Sequence, residues 1–204
     1  YQINEKLNKL DFEKKNLKKT HSQFNLKLFY LLQKSNLTHF LRNGFIQKMF
    51  FIHNRLFIFN ELIELKKKNW KFYKKLIEED DVGDPIRYFL YPKSSGNRIN
   101  HVYHLSVLCE EFNINLKQIN KVFEFGSGYG CMARIFSKIN KKIFYICFDT
   151  PYVNLLQYYY LKQNNLDVGF GKTKNFKLMS SLKKNKSYLN NLSNYLFIAN
   201  WSLS

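Results

Sequence analysis

Residues 122 to 136, VFEFGSGYGCMARIF, set three glycines at alternate positions between an apolar strand pattern and a helix pattern. A chain that passes from strand to helix through so bare a turn is committed to stacking helices on a sheet. The next segments agree with that layering. KIFYICF has almost no polar alternation, as a parallel strand covered on both faces requires. Asp149 and Thr150 then precede Pro151, which suits the first position of a helix running through VNLLQYYYLKQ. FKLM and YLFIAN supply two further strands. The fold expected is α/β and doubly wound, Rossmann-like, with ligands lying outside the C-terminal ends of the strands.

Upstream the periodicity is helical. Phe45, Met49, Ile52, Leu56, Phe59 and Ile63 recur at spacings of three and four, predicting one helix with a broad apolar stripe across 36–68. Residues 1 to 20 read as a solvent-facing helix. EEDDVGDP, residues 78 to 85, breaks the pattern as a linker or a loop over a site, and 88–100 reads as irregular. Helical spacing returns at Val102, Leu105, Leu108 and Phe112. The organisation expected is a helical region over 1–80 and a partial ligand-binding α/β domain over 81–204. A first residue of Tyr1 and an ending on NWSLS suggest a piece of a longer reading frame, truncated at its C-terminus.

Net charge is +18, but only five of the 33 basic residues are Arg, and the Lys are spread along the whole chain among 24 Asn. Specific nucleic-acid recognition calls for basic side chains gathered on one surface, so no specific nucleic-acid partner is expected. Cys109, Cys131 and Cys147 are too far apart for a zinc cluster, which points to thiols in a reducing compartment, expected to be the cytoplasm, and to no metal. No run of 18 apolar residues is present, so no transmembrane segment is expected; weak membrane-surface association through the basic aromatic helix is the competing reading.

The turn itself discriminates among ligands. A dinucleotide fingerprint wants G-x-G-x-x-G, and Cys131 stands where its last glycine belongs. No G-K-[ST] closes the turn as a P-loop, and GKT at 171–173 lacks the strand and glycine context. Glu124, two residues before Gly126, disfavours a pyrophosphate and favours a cationic ligand such as S-adenosylmethionine. Gly126, Gly128 and Gly130 let the backbone approach that ligand, and Asp149 is spaced to accept from ribose hydroxyls. The plainer alternatives are a tight turn, a surface carboxylate and a helix cap.

EFGSGYG, then DTP followed by LLQYYYL, then NWSLS together resemble class I S-adenosylmethionine-dependent methyltransferases, and among them the bacterial sugar O-methyltransferases. The resemblance covers about residues 80 to 204; Ser127 stands for a frequent glycine and Thr150 for the usual Leu. It implies methyl transfer to a sugar hydroxyl, with Glu124, Gly126, Gly128, Gly130, Asp149 and Asn200 on the cofactor. Tyr129, Tyr158 and Trp201 offer flat faces for a pyranose ring. No catalytic base is fixed: His101, His104 and Asp84 are candidates. An RNA or protein methyltransferase, and a non-catalytic scaffold retaining the cofactor fold, remain open as alternatives.

Overall fold

The computed structural model describes residues 19–34, 36–50, 55–182 and 194–200. Five strands form one parallel sheet: β3 (Lys121–Phe125), β4 (Phe144–Phe148), β5 (Val168–Gly169), β6 (Phe176–Met179) and β7 (Leu196–Ile198), in the order β5-β6-β4-β3-β7. A two-stranded antiparallel hairpin, β1 (Arg87–Tyr88) and β2 (Tyr91–Ser95), stands apart. The helices are α1 (Lys19–Lys34), α2 (Gly44–Phe50), α3 (Phe57–Lys67), α4 (Trp70–Ile77), α5 (Gly96–Glu111), α6 (Cys131–Ile139) and α7 (Pro151–Gln163). A 3-10 helix (Leu37–Arg42) precedes α2. The arrangement is α/β and compatible with a Rossmann-like fold.

Register explains the two faces of the sheet. Val122 and Glu124 pair with Tyr145 and Cys147, which pair with Phe176 and Leu178. That face joins the main core, which also takes in Leu28 and Phe29 of α1, Leu62 of α3, Ile135 of α6 and Leu156 of α7. The opposite face carries a separate cluster built from the sheet's own rings: Phe123 stacks on Phe148 and Phe197, and Phe125 on Phe148. KIFYICF is thus apolar on both faces, but among the described residues helices cover only the first, so the doubly wound layering expected from the sequence is seen on one side of the sheet, and Phe197 on β7 remains 58% exposed.

The helix expected across 36–68 is divided in the structure. The 3-10 helix, α2 and α3 are separate, and α3 buries Ile58, Glu61, Leu62 and Leu65 while Leu56 is 76% exposed and Phe59 partly so. The predicted stripe ran through Leu56, Phe59 and Ile63; starting a new helix at Phe57 resets which side faces inward. Ile52 lies outside the described residues, as do residues 1–18. The segment 88–100 is likewise more regular than expected, because β2 leads directly into α5, whose N-cap Ser95 accepts from the Arg98 N–H at 3.1 Å.

The acidic segment is bound into the fold. Arg98, fully buried, forms an ion pair with Glu79 at 2.8 Å and donates to the Tyr160 hydroxyl at 2.9 Å. Asp80 takes Arg134 through both carboxylate oxygens, at 2.7 and 2.9 Å, with Lys138 at 3.5 Å. Burial raises the Asp80 pKa, but Arg134, Arg98 and Lys138 pull the balance down to about 2. Gly83 (φ +82) packs so closely on Phe40 that a Cβ would stand 2.3 Å from the ring, and its carbonyl accepts from Leu41 N–H at 2.9 Å.

Candidate functional site

Three glycines with positive φ, Gly126 (+71), Gly128 (+54) and Gly130 (+99), carry the chain from β3 into α6. Gly126 N–H donates to the Phe148 carbonyl at 2.8 Å, so the turn leaves the sheet beside the end of β4. Helix α7 grips it from the far side. The buried Gln157 amide donates to Ser127 Oγ at 2.8 Å and to the Gly128 carbonyl at 2.7 Å. Below, the Tyr129 hydroxyl accepts from Asn97 of α5 at 3.3 Å. Sequence reasoning missed Asn97 altogether and saw Gln157 only as part of a motif. The signal for both is a short amide amid apolar helical positions, where a buried polar group needs a partner.

Asp149 adjoins the turn. One carboxylate oxygen accepts from Gly128 N–H at 3.0 Å and the other from Thr150 N–H at 2.7 Å. The helix N-cap is Thr150, so Asp149 is a buttress of the glycine turn rather than a side-chain cap. Burial lifts its pKa to about 6 against the two backbone hydrogen bonds. Glu124 lies under the turn, 3% exposed, rather than at the mouth of the strand. The Tyr145 hydroxyl donates to it at 2.8 Å, yet burial, with the Asp149 charge adding to it, pushes its pKa up to about 8. Neither carboxyl has a Lys or Arg partner among the described residues.

Asn200 lies two residues beyond Ile198, which pairs with Glu124, so it falls beyond the C-terminal end of β7. Its side chain hydrogen-bonds His104, and burial holds that imidazole below its ordinary pKa against the bond. His101 sits one turn earlier on α5, its Nδ1 2.8 Å from the Asn97 carbonyl, and burial drops its pKa to about 4. The structure therefore brings His104 and Asn200 together. Asp84 is held elsewhere, by Arg42 at 2.5 Å and His39 at 2.8 Å, which keep its pKa low and make it a poor base.

The aromatic platform expected for a sugar is not formed by the tyrosines. Tyr129 is 2% exposed and Tyr158 7%, both consumed by packing on neighbouring rings. Trp201 lies outside the described residues. Among the described residues no group of three or more His, Cys, Asp or Glu is set to hold a metal ion, and no helix is long and apolar enough to cross a membrane.

No family model, curated protein or solved structure matches this chain. The chemistry is therefore argued from the site. A turn with three glycines, beside one buried and one partly buried carboxyl that lack a Lys or Arg partner among the described residues, suits a ligand that brings its own positive charge. A positive charge there would favour the ionised forms of Glu124 and Asp149.

Proposed function

We propose that this chain binds S-adenosylmethionine at the glycine turn and directs its methyl group to a sugar hydroxyl, as a class I methyltransferase. Glu124, buried, and Asp149, partly buried, both without a Lys or Arg partner among the described residues and beside Gly126 and Gly128, are the observation that supports the cofactor half. When bound, the cofactor supplies an electrophilic methyl on a positively charged sulfur. The chain's own part is to carry no side chain at the three turn glycines, to offer ribose hydroxyls the remaining lone pairs of Asp149, and to hold the turn rigid through Gln157. The strand order β6-β4-β3-β7, with α6 and α7 as crossovers, is compatible with that fold. The sugar half rests on the resemblance carried by LLQYYYL and NWSLS.

Calorimetry tests the first half. S-adenosylmethionine and S-adenosylhomocysteine are expected to bind and NAD is not; NAD binding as tightly would sink the assignment. Asp149→Asn, which removes the charge and keeps one of the two acceptors used by the Gly128 and Thr150 N–H groups, is expected to weaken S-adenosylmethionine by about 1.5 kcal/mol, roughly tenfold. Unchanged affinity would reduce Asp149 to a buttress of the turn. For the acceptor, methyl transfer at about 0.15 M salt is to be compared across glycans, nucleotide sugars and total RNA. A methylated sugar is expected, and salt-resistant RNA methylation without a sugar product would overturn the reading.

A further inference from the structure

We infer that Phe50 is a wall of the ligand site and that its ring makes the site favour a positively charged sulfur over a neutral one; this rests on the S-adenosylmethionine reading above. Helix α2 ends on Phe50. One edge of the ring, Cδ1 and Cε1, lies 3.2 and 3.6 Å from where a Cβ on Gly128 would stand. The main-chain N–H of that same glycine donates to Asp149. Gly128 thus has a carboxylate on its amide and an aromatic ring against its bare Cα.

The ring is held by parts of the chain distant in sequence. It meets Tyr129 edge-on at 6.4 Å, and Tyr129 is fixed in turn by Phe40 at 6.2 Å and by Asn97. Helix α2 is braced by the Gln47 amide donating to the Leu41 carbonyl, and Leu41 by Gly83. Phe50 is only partly buried.

Two physical effects follow from a ring in that position. The ring stands against the turn at Gly128, and an aromatic face attracts a cation. Its apolar bulk on Gly128, whose N–H donates to Asp149, also lowers the polarity near that carboxylate, which strengthens the pull on any positive charge nearby. Both effects act on a sulfonium. A neutral thioether gains only from contact area.

The test is calorimetry of S-adenosylmethionine and S-adenosylhomocysteine on the wild-type protein, Phe50→Ala and Phe50→Leu. Phe50→Ala is expected to lower affinity about tenfold for the sulfonium and about threefold for the thioether. Phe50→Leu restores apolar bulk without a π face, so it should recover the thioether fully and the sulfonium only in part. Because both ligands are measured on the same variant, a general loss of stability does not alter the ratio. Equal losses, no loss, or a gain in affinity would each overturn the role of Phe50; a gain would mark the ring as a plug over the turn. Failure of the wild type to bind either ligand would instead overturn the cofactor reading, and this inference with it.

Discussion

Arg98→Leu should destabilise the protein by about 3 to 5 kcal/mol, the cost of leaving a buried charge without its partner. Arg98 is fully buried, and burial opposes its charge; Glu79, with Tyr160 and Asp80 among the further contributors, more than restores it. Leucine supplies apolar bulk but strands the Glu79 carboxylate, which among the described residues keeps the Ser95 hydroxyl as its side-chain donor. Asp80 is less exposed to the change because Arg134 and Lys138 remain. The double variant Arg98→Leu/Glu79→Gln should recover a substantial part of the loss, since a neutral amide costs less to bury than an ion. Urea unfolding of the two variants and the parent measures this. A single variant within about 1 kcal/mol of the parent would show that the ion pair contributes little net stability.

A second large effect is a loss of stability on the alkaline side of neutrality. The Glu124 pKa is raised from 4.5 to about 8 in the folded chain, so between those values the folded state holds a proton that the unfolded state has released. Stability must then fall as pH rises, by about 1.4 kcal/mol per unit in that window and roughly 5 kcal/mol across it. At its acid end three other groups interfere, and His104, also lowered from 6.5, acts with the same sign as His101. Asp149, raised from 3.8 to about 6, adds to the fall, while His101, lowered from 6.5 to about 4, opposes it because the unfolded imidazole binds the extra proton. Between about pH 6.5 and 8 Glu124 dominates over the opposing histidines, and a net loss of about 1 kcal/mol is expected there. Unfolding titrations at those two pH values check it, with Glu124→Gln expected to flatten the slope. A parent protein of constant stability across the interval would refute the buried protonated carboxyl. The ligand should reverse the sign: a cation that stabilises the ionised carboxyls binds more tightly as pH rises and releases protons on binding.

What the sequence made legible was whatever depends on neighbours along the chain. Strand β3, the glycine turn, α6, β4, the Pro151 start of α7 and the strand at FKLM all follow from local periodicity and turn chemistry, and the structure has them. The helix predicted over 36–68 failed because apolar residues at helical spacing on both sides of a break look like one stripe. Only packing reveals that Ile58 and Leu62 face inward while Leu56 does not. The same limit governs the site. Asp149 could be assigned to the turn from spacing, but the depth of Glu124 depends on which strands flank β3. Its partner Tyr145 is on the adjacent strand. Tyr129 was read as a sugar platform because aromatic residues near a cleft are ambiguous until their burial is known. Phe50 and Asn97 reach the turn from segments with no local link to it, so no spacing pointed to them.

The grip of Gln157 on the turn also bears on how this sequence is free to drift. Its amide serves Ser127 and Gly128, which lie 30 and 29 residues earlier, from a position enclosed on every side. Replacing Ser127 with alanine removes one acceptor, and the side chain at 157 that was optimal beforehand no longer is. Conversely, a leucine at 157 fits the helix pattern but leaves the Ser127 hydroxyl and the Gly128 carbonyl without their shared donor. Substitutions at 127 and 157 should therefore be epistatic, each tolerated mainly in the company of the other, so that two sites far apart in the chain are inherited as one unit of variation.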